Sequence, residues 1–331
     1  MRSLRDLPPR DAYARFGPGF GRRFLLTVDT EEEFDWDRPL TRDRHGLRHV
    51  AALARFQAFC EAEGVVPVYL VDWPIAQSAE AAQILRGPLA AGRAEVGVQL
   101  HPWVNPPFDE EVTPYNSFAG HLPRELEAAK FGQLRHAIEQ SFGVAPAIYR
   151  AGRYGLGPHS ASILSEQGLA IDSSVRARFD YSGGQGPDYS RHPLVPYWAD
   201  EDRTLLELPL TTVFWGMLRR QGEWLYPAIA GLPRAPGVMA RCGLLERIPL
   251  TPEGTDVEDA IRGIDMAIDD GLPLLVLSFH SPSLEAGHTP YVRNEADLEA
   301  LYDWFRRVFA YLELRSVEPT TVEQILQQVQ R

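Results

Sequence analysis

"LLTVDTEEEFDW", residues 25–36, passes from an apolar run of strand length straight into acid. Five carboxylates, Asp29, Glu31, Glu32, Glu33 and Asp35, fall within seven positions. A run of like charge is ordinarily a solvated loop. Residues two apart on a strand share a face, however, so Asp29 and Glu31 aim into one space if the strand geometry persists that far. Two carboxylates crowded together raise one pKa unless a cation neutralises them. A divalent metal held by Glu31 and by a nitrogen donor such as His101 would do so, leaving Asp29 to act as a base on water. Glu32, Glu33 and Asp37 read as the solvated remainder of the run.

The same pattern recurs along the chain. Apolar runs of strand length occur at 65–72, 94–102, 147–150, 169–174, 204–210, 244–250 and 273–280. Helical periodicity lies between them, at Val50–Leu53–Phe56–Cys60, 75–91, 123–141, 158–167 and 255–270. Two further apolar stripes follow, one at Leu298, Leu301, Phe305, Val308 and Leu312, the other over Val322–Val329. This alternation predicts a parallel sheet covered by helices, in an open doubly wound fold or a barrel. No linker splits the chain, so residues 24–331 read as one domain after an N-terminal extension, 1–23.

Polar residues gather where the strands end: Asp29 and Glu31, Gln99 and His101, Arg150, Asp172, His280. Parallel barrels and open α/β sheets both build their sites at the carboxyl ends of strands. Three long connections, 102–122, 176–203 and 281–296, leave those same ends, and connections of such length are usually functional. Phe179, Tyr181, Tyr189, Tyr197 and Trp198 in the second read mostly as loop filling. His45, His49, His136, His159 and His192 read as surface or helix positions without a role.

Composition narrows the class. The chain has 331 residues, with 33 basic and 45 acidic side chains and a net charge of −12. That disfavours nucleic acid or an anionic membrane surface as the main partner. Two cysteines make no disulfide framework, and Cys60 falls in an apolar helical pattern. The N-terminus has no apolar core of a signal peptide, and no stretch is long enough to span a membrane. The expectation is a soluble cytoplasmic protein acting on a cytoplasmic intermediate, such as a nucleotide sugar or a lipid-linked saccharide.

Five short motifs, in order over residues 24–315, resemble those of the polysaccharide deacetylases, the NodB-homology or carbohydrate esterase family four superfamily. "TVDTE" is similar to the first motif, as Asp-x-Glu in place of adjacent aspartates. "EVGVQLHPW" resembles the second, "YRAGRYG" the third, "DSS" the fourth and "LSFHSPSLEAGHTPY" the fifth. The long-loop signatures "HPWVNPPF" and "RAGRYGLGP" look most like the WalW-type branch. The resemblance implies a distorted (β/α)7-type barrel and metal-dependent removal of an N-acetyl group from a carbohydrate, in surface-polysaccharide or lipopolysaccharide biosynthesis.

Carried over by motif position, Asp29 corresponds to the general base and His280 to the general acid. Arg150, or Arg153, orients the base. Glu31 and His101 correspond to ligands of a divalent metal, zinc first, with iron, cobalt or nickel as alternatives. Leu277 corresponds to the lining of the acetyl pocket, and Trp103, Arg153, Tyr154 and Asp172 to substrate-binding positions. The family places a second metal histidine four residues before the one preceding proline. Here that position is Gly97, so Gln99 stands in for the missing ligand, with His121 as the other candidate. Two alternatives follow: loss of the metal through Gln99 would leave a silent sugar-binding protein, and the Asp-x-acid first motif is similar to that of relatives that hydrolyse non-sugar amides or cyclic imides.

Overall fold

The computed structural model describes residues 1–34 and 38–331. Its strands are β1 (Arg22–Thr30), β2 (Val68–Val71), β3 (Glu95–Leu100), β4 (Ile148–Ala151), β5 (Ile171–Asp172) and β6 (Tyr197–Trp198). They continue with β7 (Leu206–Glu207), β8 (Thr212–Trp215), β9 (Glu246–Pro249), β10 (Leu274–His280) and β11 (Val317–Pro319). Among the described residues nine of these form one sheet, in the order β10-β1-β2-β3-β4-β5-β7-β6, with β11 beside β1. Every pairing in it is parallel except β6 with β7.

Strand alternation separates two cores. Leu25, Val68, Leu70, Ile148, Ile171, Leu206 and Val276 pack together inside the curled sheet. Their neighbours Leu26, Val28, Tyr69, Val71, Val98 and Tyr149 pack outward. The outer layer comprises the helices Leu53–Ala62, Ala79–Ala90, Arg124–Phe142, Ser160–Glu166, Val257–Asp269 and Glu295–Leu314. Phe20 before β1 and Val322, Ile325 and Val329 near the C-terminus join the inner core. Tyr13 and Phe16 bridge to Tyr197 and Val329, so the N-terminal segment is packed on the sheet.

The expected distorted barrel is therefore present as a curled half-barrel. Between β7 and β10 single residues do the joining. Thr211 donates its N–H to the Val276 carbonyl at 3.2 Å and accepts the Val276 N–H on Oγ1 at 2.9 Å. Leu250 in turn accepts the N–H of Ser278 at 3.3 Å. Residues 244–250, expected as a further strand of the main sheet, contribute β9 instead, and β9 pairs antiparallel with β8 in a separate two-stranded ribbon.

Candidate active site

Each polar strand end is aimed by the alternation just described. In β1, Leu25 faces inward, so Thr27 and Asp29 do too. In β10, Val276 faces inward, which brings Ser278 and His280 to the same side. The register sets Asp29 directly beside His280. In β3 the inward positions are Gly97, Gln99 and then His101. A Cβ at Gly97 would stand 2.5 Å from Leu70 Cδ2 and 2.7 Å from the Ile148 carbonyl, so a side chain there would have to displace the interior. Arg150 on β4 points inward next to Gln99, its register partner.

These residues line one cavity of about 700 Å³ at the carboxyl ends of the strands. All three long connections wall it: Trp103, Thr113 and Phe118 from the first, Arg176 and Tyr181 from the second, Tyr291 from the third. Asp29 Oδ1 is ion-paired with Arg150 Nη1, and both are buried. The Arg150 Nε–H also donates to the Ser173 carbonyl at 2.8 Å, which fixes the guanidinium. Asp29 Oδ2 lies 3.7 Å from His280 Nε2. On the far side of the ring, His280 Nδ1 meets Glu253 Oε2 at 2.6 Å. Burial alone would lower the His280 pKa, but the surrounding Glu253, Glu31 and Asp29 carboxylates outweigh it and hold it up at about 10.

Opposite this pair lies a second group. Gln99 Nε2 donates to Glu31 Oε2 at 2.9 Å, and His101 Nε2 is 3.4 Å from each of these two atoms. Gln99 Oε1 is buried and has no hydrogen-bond partner among the described residues. Burial, with Glu32 and Asp29 adding to it and His280 and His101 only partly offsetting it, pushes Glu31 up to about 8. A half-turn of the Gln99 amide would bring the orphaned oxygen to face Glu31 and His101. Three lone-pair donors would then stand about 3 Å apart, the spacing of ligands that each lie about 2.1 Å from one ion. The residues present thus fit a divalent cation, with a carboxylate, an imidazole and an amide oxygen as donors.

Behind it lies a supporting layer. His101 Nδ1 is 2.8 Å from Glu32 Oε2, and Trp103 Nε1 donates to Glu32 Oε1 at 2.7 Å. The Glu32 N–H donates to Asp72 Oδ2 at 2.7 Å, and Asp72 Oδ1 accepts the Ile75 N–H at 3.0 Å. Glu32, Asp72 and His101 are close enough to hold an ion themselves, yet their facing atoms are already engaged with one another. Burial raises both carboxyls, Asp72 well above the usual range because the Glu32 carboxylate adds to it. Their effect is to fix the tautomer of His101 and leave Nε2 toward Glu31, an arrangement common behind metal-binding histidines.

Several expectations meet a different placement. Glu32 is fully buried, and Glu33, partly buried, is tied to His49 Nδ1 at 2.9 Å rather than standing free in solvent; Asp37 lies outside the described residues. His49 is itself buried, with Nε2 2.9 Å from Ser281 Oγ, and His192 is buried against the Leu4 carbonyl. Leu277 faces the helices with Leu26 and Val28, because His280 and Ser278 take the inward parity. Asp172 also points away from the cavity, since its neighbour Ile171 points in. It pairs instead with Glu207, its register partner, and accepts from Ser174. His121 is turned onto Tyr115, stacked at 4.1 Å. Arg153 and Tyr154 line the cavity, and Trp103 lies against His101 with ring centroids 4.3 Å apart.

Glu253, Asp72 and Arg176 were not anticipated. Asp72 ends a strand that the sequence shows plainly, and Glu253 follows the carboxyl end of β9, so the strand-end rule applied throughout would have found both. Arg176 sits in a loop with no periodicity and gave no signal.

No family model matches the chain, and no curated protein matches it in sequence. Among solved structures it is similar to a Mycobacterium smegmatis protein assigned as a polysaccharide deacetylase, with 19% identity over 96% of this chain and 98% of that one, TM-score 0.51. It is also similar to the Puue allantoinase, with 15% identity over 99% and 97% of the two chains, TM-score 0.53. A glycoside hydrolase family 57 branching enzyme of Thermococcus kodakaraensis matches at 15% identity over 93% of this chain and 71% of its own, TM-score 0.50. At these identities the likeness is one of fold.

Proposed function

We propose that the protein is a carbohydrate N-deacetylase, hydrolysing an N-acetyl amide on a sugar with the help of a divalent metal. The observation that carries this reading is the pair Asp29–His280 facing the Glu31–Gln99–His101 group across one cavity. The shared fold is compatible with it but does not decide the reaction.

Asp29 is the base. Its Oδ1 is held by Arg150, so Oδ2 is left to take the proton of an attacking water. His280 is the acid. Held protonated by Glu253, it gives the Nε2 proton to the leaving nitrogen as the C–N bond breaks. Products are acetate and the free amine. The proton taken by Asp29 can pass back to His280 across the 3.7 Å between them. Glu31, Gln99 and His101 would hold the metal, zinc first, and Glu32 would keep His101 oriented. Such a cation would polarise the acyl oxygen and lower the pKa of water.

The test measures acetate release from N-acetylated saccharides together with metal content. Asp29→Asn and His280→Ala should each stay folded and lose about two or more orders of magnitude in rate, the usual scale for a positioned acid or base. Near-normal acetate release from either variant would sink the assignment. Turnover of cyclic imides with no acetate release from any sugar would move the substrate outside carbohydrates. Sugar binding without turnover, and without metal after repletion, would mark a silent binder.

A further inference from the structure

The same cavity carries two guanidinium groups, Arg153 and Arg176, that have no carboxylate in ion-pair contact among the described residues, although many of the other arginines are ion-paired. Arg153 Nη1 donates to Ser117 Oγ, and its guanidinium lies 4.4 Å from the Phe118 ring centre. Arg176 Nη1 donates to the Tyr181 hydroxyl at 3.1 Å and stacks 4.0 Å from Phe179 and 5.2 Å from Tyr154. Arg247 stacks on the same Phe179 at 3.6 Å, so a second positive charge stands behind the first, also without a carboxylate in ion-pair contact among the described residues. The contacts that hold these groups are neutral, and Glu253 acts on Arg176 only from beyond ion-pair distance.

Backbone conformation points the same way. Arg153 and Tyr154 have φ of 56° and 58°, two consecutive non-glycine residues in the left-handed region. L-residues rarely adopt this conformation, and it persists where surrounding structure enforces it, commonly at ligand sites. Here it turns both residues into the cavity. The chain as a whole carries −12, so Arg153 and Arg176, lining the cavity without an ion-pair partner among the described residues, run against the overall charge.

We propose that these arginines bind an anionic group, a carboxylate or a phosphate, carried by the substrate beside the sugar that holds the amide. The inference rests on the deacetylase reading and sharpens it: the substrate is an acidic N-acetyl saccharide, either a uronic acid or a sugar phosphate. Planar, forked guanidinium groups suit both anions.

Binding can be measured apart from catalysis. Calorimetric titration would compare N-acetylglucosamine, N-acetylglucosamine 1-phosphate and an N-acetylhexosaminuronic acid at fixed ionic strength. One anionic ligand should bind at least about tenfold more tightly than the neutral sugar, weakening as salt is raised; which of the two does so identifies the source of the charge. Arg176→Gln should abolish that preference and Arg176→Lys should restore part of it. Arg153→Gln, at an exposed side chain, should reduce it while leaving the fold intact should Arg176→Gln fail to fold. Equal affinity for neutral and charged sugars, or a preference untouched by both glutamine variants, overturns the proposal. If neutral acetylated sugars release acetate as fast as charged ones and KM is unchanged in the variants, the anion site falls and the deacetylase stands. If the charged sugar binds through these arginines and no acetate is released, the deacetylase reading falls and the anion site stands.

Discussion

Glu253 lies against His280 on the side away from Asp29, and in the proposed reaction it keeps the acid charged. Its carboxylate meets Nδ1 at 2.6 Å and also accepts from Ser283 Oγ at 2.7 Å, so it is itself held. With the imidazole held up at about 10, His280 keeps its proton through neutral pH. Glu253→Gln removes an anion that favours the charged form, so the pKa must fall. The alkaline decline of the pH–rate profile should start at a lower pH than in the wild type. An unmoved alkaline limb would show that His280 is not the acid. Gln99 tests the other side of the cavity. Gln99→His puts a second imidazole beside His101, a better donor to zinc, nickel or iron than an amide oxygen. By elemental analysis, this variant should keep metal through a chelator wash that strips the wild type. Equal loss from both would mean that Gln99 does not face the ion. Residue identity was legible at these strand ends, but parity was not: a one-residue step sends Leu277 and Asp172 to the opposite face, and only the packed interior fixes which parity points in. Burial of Glu32 could not be read either, because its partners Asp72 and Trp103 lie far away in sequence.

Elements with strong local periodicity were legible, and those defined by distant pairing were not. β1, β3 and β10 carry continuous apolar runs, and the long helices carry clear stripes, so their existence followed from pattern alone. β8 and β9 pair across the intervening helices Gly222–Ala230 and Ala235–Arg241, and nothing local distinguishes β9 from a strand of the main sheet. The helix Arg124–Phe142 shows how an element can carry a hidden cost. Its Glu127 is buried, accepts from Ser160 Oγ, and is pushed up to about 7 by burial. Above that pH the fold must hold an ionised, poorly solvated carboxylate. Glu127→Gln keeps an acceptor for Ser160 without the charge, so it should raise the melting temperature at pH 8 and much less at pH 5. A fall in melting temperature at pH 8 would show that the charge is compensated by partners the burial argument ignores.

Across the whole molecule, buried acids bias the fold toward holding protons. Glu31 stands at about 8 and Glu127 at about 7; Glu32, Asp72, Glu95, Asp172 and Glu207 are also raised, chiefly by burial. An acid with a raised folded-state pKa binds more protons folded than unfolded in the interval between its two pKa values. Its contribution is then present below the unfolded pKa, 4.5 for the glutamates and 3.8 for the aspartates, and lost as pH rises through the folded one. His280, raised to about 10, adds stability that likewise fades only at higher pH. Glu33, lowered by its histidine contacts despite partial burial, opposes the trend on the acid side. Metal-free protein should therefore melt at a higher temperature near pH 5 than near pH 8. A divalent cation should reverse part of that slope, because Glu31 must give up its proton to become a ligand and binding strengthens as protons leave. Scanning calorimetry with and without zinc at both pH values checks this: the zinc-induced rise should be larger at pH 8. A rise of equal size at both pH values, persisting in Glu31→Gln, would mean that the ion binds elsewhere. The group Glu33, Glu285 and His288 would then be the first place to look.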